Sequence, residues 1–212
     1  VHDVLYRALA RTLTGEHGAR EHLGEIVGAY DQLTGAEGIA AVVLIDQEPI
    51  GRSPRSNPVT FVKAFDEIRR IFAAVPLSHQ RHYSPSTFSF NVAGGRCETC
   101  DGAGYIEIEM QFLADVFVPC DACGGARFKP EVLEVKYQGR SIVGVLELTV
   151  DEAIRFFPRE EKLGQTLWQV QQVGLGYVRL GQPATTLSGG EAQRLKIARE
   201  LTQTARHAGK RL

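Results

Sequence analysis

The sequence predicts an α/β protein with an inserted metal-binding β-hairpin, and three observations carry that reading. Ala40-Ala41-Val42-Val43-Leu44-Ile45 is a short apolar run consistent with a buried strand, and it stops abruptly at Asp46-Gln47. Four cysteines fall in two C-x-x-C pairs, and the segment between the pairs alternates apolar and polar residues with period two. Ser188-Gly189-Gly190-Glu191 then opens an amphipathic helix. A polar pair at the end of a buried strand is where α/β folds place ligand chemistry.

Taken in order, residues 1–13 read as a helix, with Val4, Leu5, Ala8, Leu9 and Thr12 on one side. Residues 14–38 are polar and glycine-punctuated, and carry no clear signal. After the 40–45 strand comes a loop rich in turn formers: Pro49, Gly51, Ser53, Pro54, Ser56, Asn57 and Pro58. Residues 61–74 form an amphipathic helix with Phe61, Ala64, Phe65, Ile68 and Phe72 on its core face. Pro76 and Pro85 bracket another loop, and Phe88, Phe90 and Val92 alternate as a strand leading to the cysteines. Beyond them, Val132, Leu133 and Val135, then Ile142, Val143 and Val145, read as short strands around a turn at Gly139. Residues 149–157 form a helix capped by Thr149 or Asp151 and stopped by Pro158. Residues 163–173 form a longer one, ended by Gly174. The last helix carries Ala192, Leu195, Ala198 and Leu201 as its apolar stripe, with Arg194, Lys196 and Arg199 around the other sides.

Cys97-x-x-Cys100 and Cys120-x-x-Cys123 are the chain's four cysteines, and nineteen residues separate the pairs. Two such knuckles close a tetrahedral site around one Zn²⁺. Gly102 and Gly104 follow the first, Gly124 and Gly125 the second, and all four let the backbone turn tightly around a metal. Ile106, Ile108, Met110 and Phe112 alternate with Glu107, Glu109 and Gln111, and Val116 and Val118 supply a returning strand. The module therefore reads as a β-hairpin with zinc at its base. Two disulfides or four idle thiols are the alternatives; disulfides need an oxidising compartment, and no signal peptide is visible. With four protein ligands the site is structural rather than catalytic.

Ser188 and Glu191 make an S-x-x-E capping box, common wherever an amphipathic helix starts. Gly189 and Gly190 remove the Cβ atoms that would keep an anion from the first N–H groups of the helix, where its dipole is positive.

Composition narrows the partners little. The chain has 212 residues, enough to bury a sizeable core, with 24 basic against 25 acidic side chains. Local charge differs. Residues 49–82 hold Arg52, Arg55, Lys63, Arg69, Arg70 and Arg81 against Asp66 and Glu67. A second basic cluster comprises Arg194, Lys196, Arg199, Arg206, Lys210 and Arg211. Such clusters are usually solvated faces, and become candidate phosphate contacts when other motifs point to nucleic acid. No apolar run approaches the ~20 residues needed to cross a membrane, so a cytoplasmic protein is expected. Val1 is not an initiator methionine, and both ends stop within elements, so a piece of a longer protein is expected.

The octet Leu187-Ser188-Gly189-Gly190-Glu191-Ala192-Gln193-Arg194 resembles the signature motif of ABC-type ATPases, and in this wording the UvrA family of DNA-damage-recognition ATPases. The resemblance extends over residues 45–58, Phe88-Ser89-Phe90-Asn91, Gly94-Gly95-Arg96-Cys97 and residues 174–198, and resembles the second, C-terminal ATPase unit of that family. It implies the signature-motif half of an ABC ATPase domain: residues 1–60 as a partial nucleotide-binding core, 61–180 as the signature domain with the zinc module at 94–128, and 181–212 as the signature motif and its helix. It implies that Gln47 is the Q-loop glutamine near Mg²⁺ and the attacking water. Ser188, Gly189, Gly190 and Glu191 would meet ATP held by an opposing P-loop, and Arg52, Arg55, Arg81 and Arg96 would contact DNA backbone. Damaged double-stranded DNA, a UvrB-like helicase engaged through a region outside this chain, and a homodimer are the implied partners. Nucleotide excision repair, with its excision nuclease and SOS response, is the implied process. Neither a P-loop nor a Walker B carboxylate occurs in these residues, so this chain alone is expected to be inactive on ATP.

Two departures leave a UvrA-like paralogue open: Phe61-Val62-Lys63-Ala64 replaces a Tyr-Thr-Gly-Val type segment, and Ala93 stands where lysine is usual. Another zinc-bearing ABC ATPase, linked to transport or resistance, is a further class. Residues 97–104 also match the C-x-x-C-x-G-x-G repeat of DnaJ-type chaperones. The second copy is imperfect, however, with Arg127 where glycine should fall, and that reading leaves the signature octet unexplained.

Overall fold

The computed structural model of the chain describes residues 2–14, 28–51, 53, 55–108, 110 and 116–208, in two units, Val1–Asp46 and Gln47–Leu212. In the first unit a π-helical turn, His2–Tyr6, runs into α1, Arg7–Thr14. Ala8 is buried and Leu5 exposed, so the predicted apolar side is only partly covered. The expected 40–45 strand is not formed: the segment is irregular, and Val43 and Leu44 are exposed. A strand exists only as part of a ladder, and among the described residues of this unit no second strand pairs with it.

The second unit is built on a main hydrophobic core. Buried Asn57 starts it: its side chain accepts the Thr60 N–H at 3.0 Å, and with Pro58 at the first position this opens α2, Pro58–Phe61. The helix expected over 61–74 is broken after α2, because Lys63 turns to φ 59°. It resumes as α3, Phe65–Ala73. Ala64, Phe65, Ile68 and Phe72 are buried as expected, while Phe61 is half-covered by the Arg199 guanidinium, 4.8 Å from its ring. Pro76 starts α4, Pro76–Gln80, where a loop was expected.

Residues 84–96 are turns rather than a strand, held by Thr87 N–H to Ser84 C=O and Ser89 N–H to Ser86 C=O, both 3.0 Å. Phe88 and Phe90 alternate because both reach the core, Phe90 stacking on Phe65 at 5.0 Å, whereas Val92 is exposed. The strands expected after the second knuckle are helices: α5, Pro130–Leu133, and α6, Ile142–Leu146, follow the β1–β2 hairpin described below. Caps decide this: Pro130 occupies a first helical position, and Ser141 accepts the Gly144 N–H at 3.3 Å. The turn at Gly139 stands, with Tyr137 and Arg140 exchanging backbone hydrogen bonds at 3.0 Å.

α7, Val150–Phe156, is capped by Thr149 and Glu152 in a reciprocal box. α8, Glu161–Gln172, ends at Gly174 with φ 76°. Backbone bonds from Val150 N–H to Val178 C=O and from Leu180 N–H to Leu148 C=O lace the segment after α8 to the start of α7. Val59 N–H to Leu180 C=O and Ala184 N–H to Ser56 C=O then tie the approach to the final helix to residues 56–59. That helix is α9, Gly189–Ala208, and it packs on α8. Ala192, Leu195 and Ala198 are buried; Leu201 is exposed, so the apolar stripe ends one turn early. Among the described residues no helix is long and apolar enough to cross a membrane.

Candidate metal centre and signature helix

The two knuckles form a pseudo-two-fold pair. In the first, Asp101, Gly102 and Gly104 have φ of 50°, 77° and 82°; in the second, Gly124, Gly125 and Arg127 have 57°, 84° and 69°. Each loop turns its N–H groups onto its own second cysteine: Gly102 and Gly104 onto Cys100, Gly125 and Arg127 onto Cys123. Each loop's last carbonyl accepts the other loop's first cysteine. Cys120 N–H donates to Gly104 C=O at 3.0 Å and Cys97 N–H to Arg127 C=O at 2.9 Å. Gly102 is also sterically required, since a Cβ there would lie 2.0 Å from the Phe90 carbonyl oxygen.

The four Sγ atoms lie within 4.8 Å of one another, with Cys97–Cys120 at 4.0 Å and Cys100–Cys123 at 3.7 Å. These are not disulfides, whose sulfurs lie about 2.05 Å apart. They match the edge of a tetrahedron, about 3.8 Å for Zn–S bonds of about 2.3 Å. The pocket is soft, four-coordinate and closed by protein, which fits a structural zinc. Burial raises the Cys100 thiol and pushes Cys123 up to about 12, helped there by the Cys100 and Cys120 thiols. At Cys97 the burial is outweighed by N–H donation from Cys100 and Thr99 and by the Cys100 and Cys123 thiols, which bring it down to about 7.

From this base rises the hairpin: β1, Tyr105–Ile108, pairs antiparallel with β2, Val116–Pro119. Ile106 faces Val118 and Ile108 faces Val116, all four on one exposed aliphatic face. Met110 is described and exposed; Glu109, Gln111 and Phe112 lie outside the described residues.

Two of the expected DNA-contact arginines gather on the first knuckle. Arg96 binds the Asp101 carboxylate at 2.6 Å and Arg55 donates to the Asp101 carbonyl at 3.4 Å. Arg81 pairs with Glu134 and donates to the Glu131 carbonyl at 2.9 Å. Arg52 lies outside the described residues.

At the start of α9, Glu191 accepts the Ser188 N–H and hydroxyl, both at 2.8 Å, while Ser188 Oγ accepts the Glu191 N–H at 3.3 Å. Tyr177 adds its hydroxyl to Glu191 at 2.6 Å, and these donations, the Tyr177 one largest, hold the Glu191 carboxyl below the usual carboxylate range. Gln47 sits against this helix start: its Nε2 is 3.3 Å from Gln193 Oε1, and a Cβ on Gly189 would be 3.5 Å from its own Cβ. Arg194 donates to the carbonyls of Val173 and Gly174 at 3.5 and 3.4 Å, fastening the end of α8. Tyr177, Gln193 and Arg194 were not singled out from sequence as site residues; no local periodicity marks a contact spanning fourteen residues or more. Arg127 showed only as a glycine that should have been there.

No family model matches the chain. Curated proteins do. UvrABC system protein A of Methanothermobacter thermautotrophicus is 50% identical over 203 residues, 96% of this chain and 20% of that protein. That of Thermus thermophilus is 51% identical over 205 residues, 97% and 21% respectively. Among solved structures, UvrA2 from Deinococcus radiodurans is 52% identical with a TM-score of 0.76, covering 79% of this chain and 21% of that one. The chain spans about a fifth of the length of the curated relatives it matches. These 212 residues are UvrA-family sequence.

Proposed function

We propose, on the premise that this is UvrA-family sequence, that the chain is the signature half of a DNA-damage-recognition ATPase of nucleotide excision repair. The observation that carries the reading is identity of about half over nearly the whole chain to UvrABC system protein A. The four converging thiols support it.

In this reading Ser188, Gly189 and Gly190 meet the γ-phosphate of ATP held by an opposing P-loop, and Glu191 fixes the Ser188 side chain that presents them. The first N–H groups of α9, free of Cβ obstruction at two positions, suit an anion. Gln47 serves the neighbouring site as the residue that senses Mg²⁺ and the attacking water. ATP bound between two half-sites closes a clamp and its hydrolysis opens it. Cys97, Cys100, Cys120 and Cys123 hold zinc, which supplies structure and no catalytic step. Arg52, Arg55, Arg81 and Arg96 contact phosphates of damaged double-stranded DNA, which is recognised by deformability rather than base sequence. The UvrB-like partner and the homodimer belong to the longer protein, and a cytoplasmic location accords with this role. A UvrA-like paralogue is a second reading, favoured by Ala93 and the 61–64 segment and by the similarity to UvrA2.

The test is fluorescence anisotropy of a lesion-bearing duplex and its undamaged twin, titrated with the zinc-loaded chain at two salt concentrations. Salt-sensitive binding that favours the lesion supports damage sensing by this module. Salt-sensitive binding without preference makes it a phosphate clamp. No binding by folded chain removes the arginines from the DNA contact. Steady-state phosphate release should be nil, and turnover by the pure chain would refute the half-site reading.

A further inference from the structure

We infer that Arg127 is the built-in counter-charge of the tetrathiolate site, a positioning residue whose guanidinium offsets the negative charge that four thiolates leave around a divalent metal. The inference rests on the zinc reading above and goes beyond the four ligands.

The first argument is the conformation. Arg127 occupies, at φ 69°, the left-handed position that Gly104 fills at φ 82° in the symmetry-related loop. Glycine takes that conformation at no steric cost and arginine does not. Its backbone duties, N–H to Cys123 and C=O to Cys97, are those Gly104 performs for Cys100 and Cys120 without a side chain. The side chain therefore has a reason of its own to be there.

The second argument is the charge. Arg127 is buried at 8% exposure, its guanidinium lies 5.3 Å from the Phe90 ring centroid, and Nη1 has no hydrogen-bond partner among the described residues. Burial lowers its pKa; Tyr105, Glu147, Cys100 and Cys123 oppose that. Glu147 already pairs with Arg179 at 3.1 Å. Cys100 and Cys123 are the opposing charges that belong to the knuckles themselves, and a buried cation beside their thiolates is stabilised as an ion pair. Folding back across the first knuckle, the arginine brings Cγ to 3.0 Å and Nε to 3.4 Å from where a Gly104 Cβ would lie. One cation thus spans both loops.

Competitive zinc titration against a chelator, on the full chain, tests this. Arg127→Gly relieves the backbone and removes the charge; Arg127→Gln removes the charge and keeps bulk; Arg127→Lys keeps the charge. Glycine and glutamine variants should bind zinc about ten-fold or more weakly and release it faster, as outer-sphere partners of metal ligands do, with lysine within about three-fold. Arg179→Gln, which removes an exposed cation, should leave affinity unchanged. Cobalt(II) spectra and far-UV dichroism report whether each variant still forms a tetrahedral site on a folded body. Arg127→Gly binding zinc as tightly as the parent, or Arg179→Gln weakening it equally, would overturn the assignment. A parent chain without a tetrathiolate cobalt spectrum fails the zinc reading itself, and this inference with it.

Discussion

Ser188 and Glu191 show how much one short contact can govern. Each satisfies the other's backbone N–H, and Tyr177 locks the carboxylate from outside. Ser188→Ala should cost about 1 kcal/mol by denaturant unfolding, the usual loss for an N-cap. An undiminished midpoint would mean the cap is not engaged. The pH dependence has a definite sign. Glu191 is held below the usual carboxylate range, so its stabilisation is complete above the unfolded value near 4.3 and is lost as pH falls through the lower folded value. Protection factors for amide exchange at the first turn of α9, corrected for the intrinsic pH dependence of exchange, should fall on acidification below about pH 4 and be flat from 5 to 8. This box was legible because capping is local in sequence. The Tyr177 contact was not, because it depends on how α8 delivers the chain back to α9.

Single elements divide the same way. α7, α8 and α9 announced themselves through caps, a stop at Pro158 or Gly174, and helical spacing. α5 and α6 were misread as strands because apolar runs of four or five residues carry no decisive period, and the cap and proline before them were the better guide. The 40–45 segment erred in the other direction: its apolar character was real, but strand formation needs a partner strand. At the knuckles, the cysteine spacing gave the site directly, while the use of Arg127 as a glycine substitute required the backbone angles. Two glycines separate strain from crowding. Gly139→Ala meets open space at φ 82° and should cost about 1 kcal/mol. Gly102→Ala adds collision with the Phe90 carbonyl and should cost well over about 2 kcal/mol. Equal melting temperatures for the two variants would refute the crowding.

At the scale of the molecule, the knuckles form a cluster of their own beside the main core of the second unit. On the zinc reading, metal supports one and apolar burial the other. Chelation should expose the amides of residues 97–128 to rapid hydrogen exchange while α8 and α9 stay protected, because a two-stranded ribbon is marginal alone. Uniform loss of protection would instead show one cooperative unit. Phe90 is the point of contact between the two regimes, stacked on Phe65 in the core and lying under Arg127 at the knuckle.

The pseudo-symmetric base has a consequence for the reach of the hairpin. Each knuckle is closed by its own short turn, so the tetrahedron is assembled by bringing two ready-made halves together across the nineteen residues between them. The entropy of that closure grows only logarithmically, by about 0.6 kcal/mol for each doubling of the intervening chain. Lengthening the ribbon between Ile108 and Val116 by several residues should change zinc affinity less than about three-fold. A ten-fold loss would show that the two halves are aligned by the ribbon rather than by their own carbonyl exchange. Ribbon length is thus free to vary in evolution or design, while the metal base stays fixed.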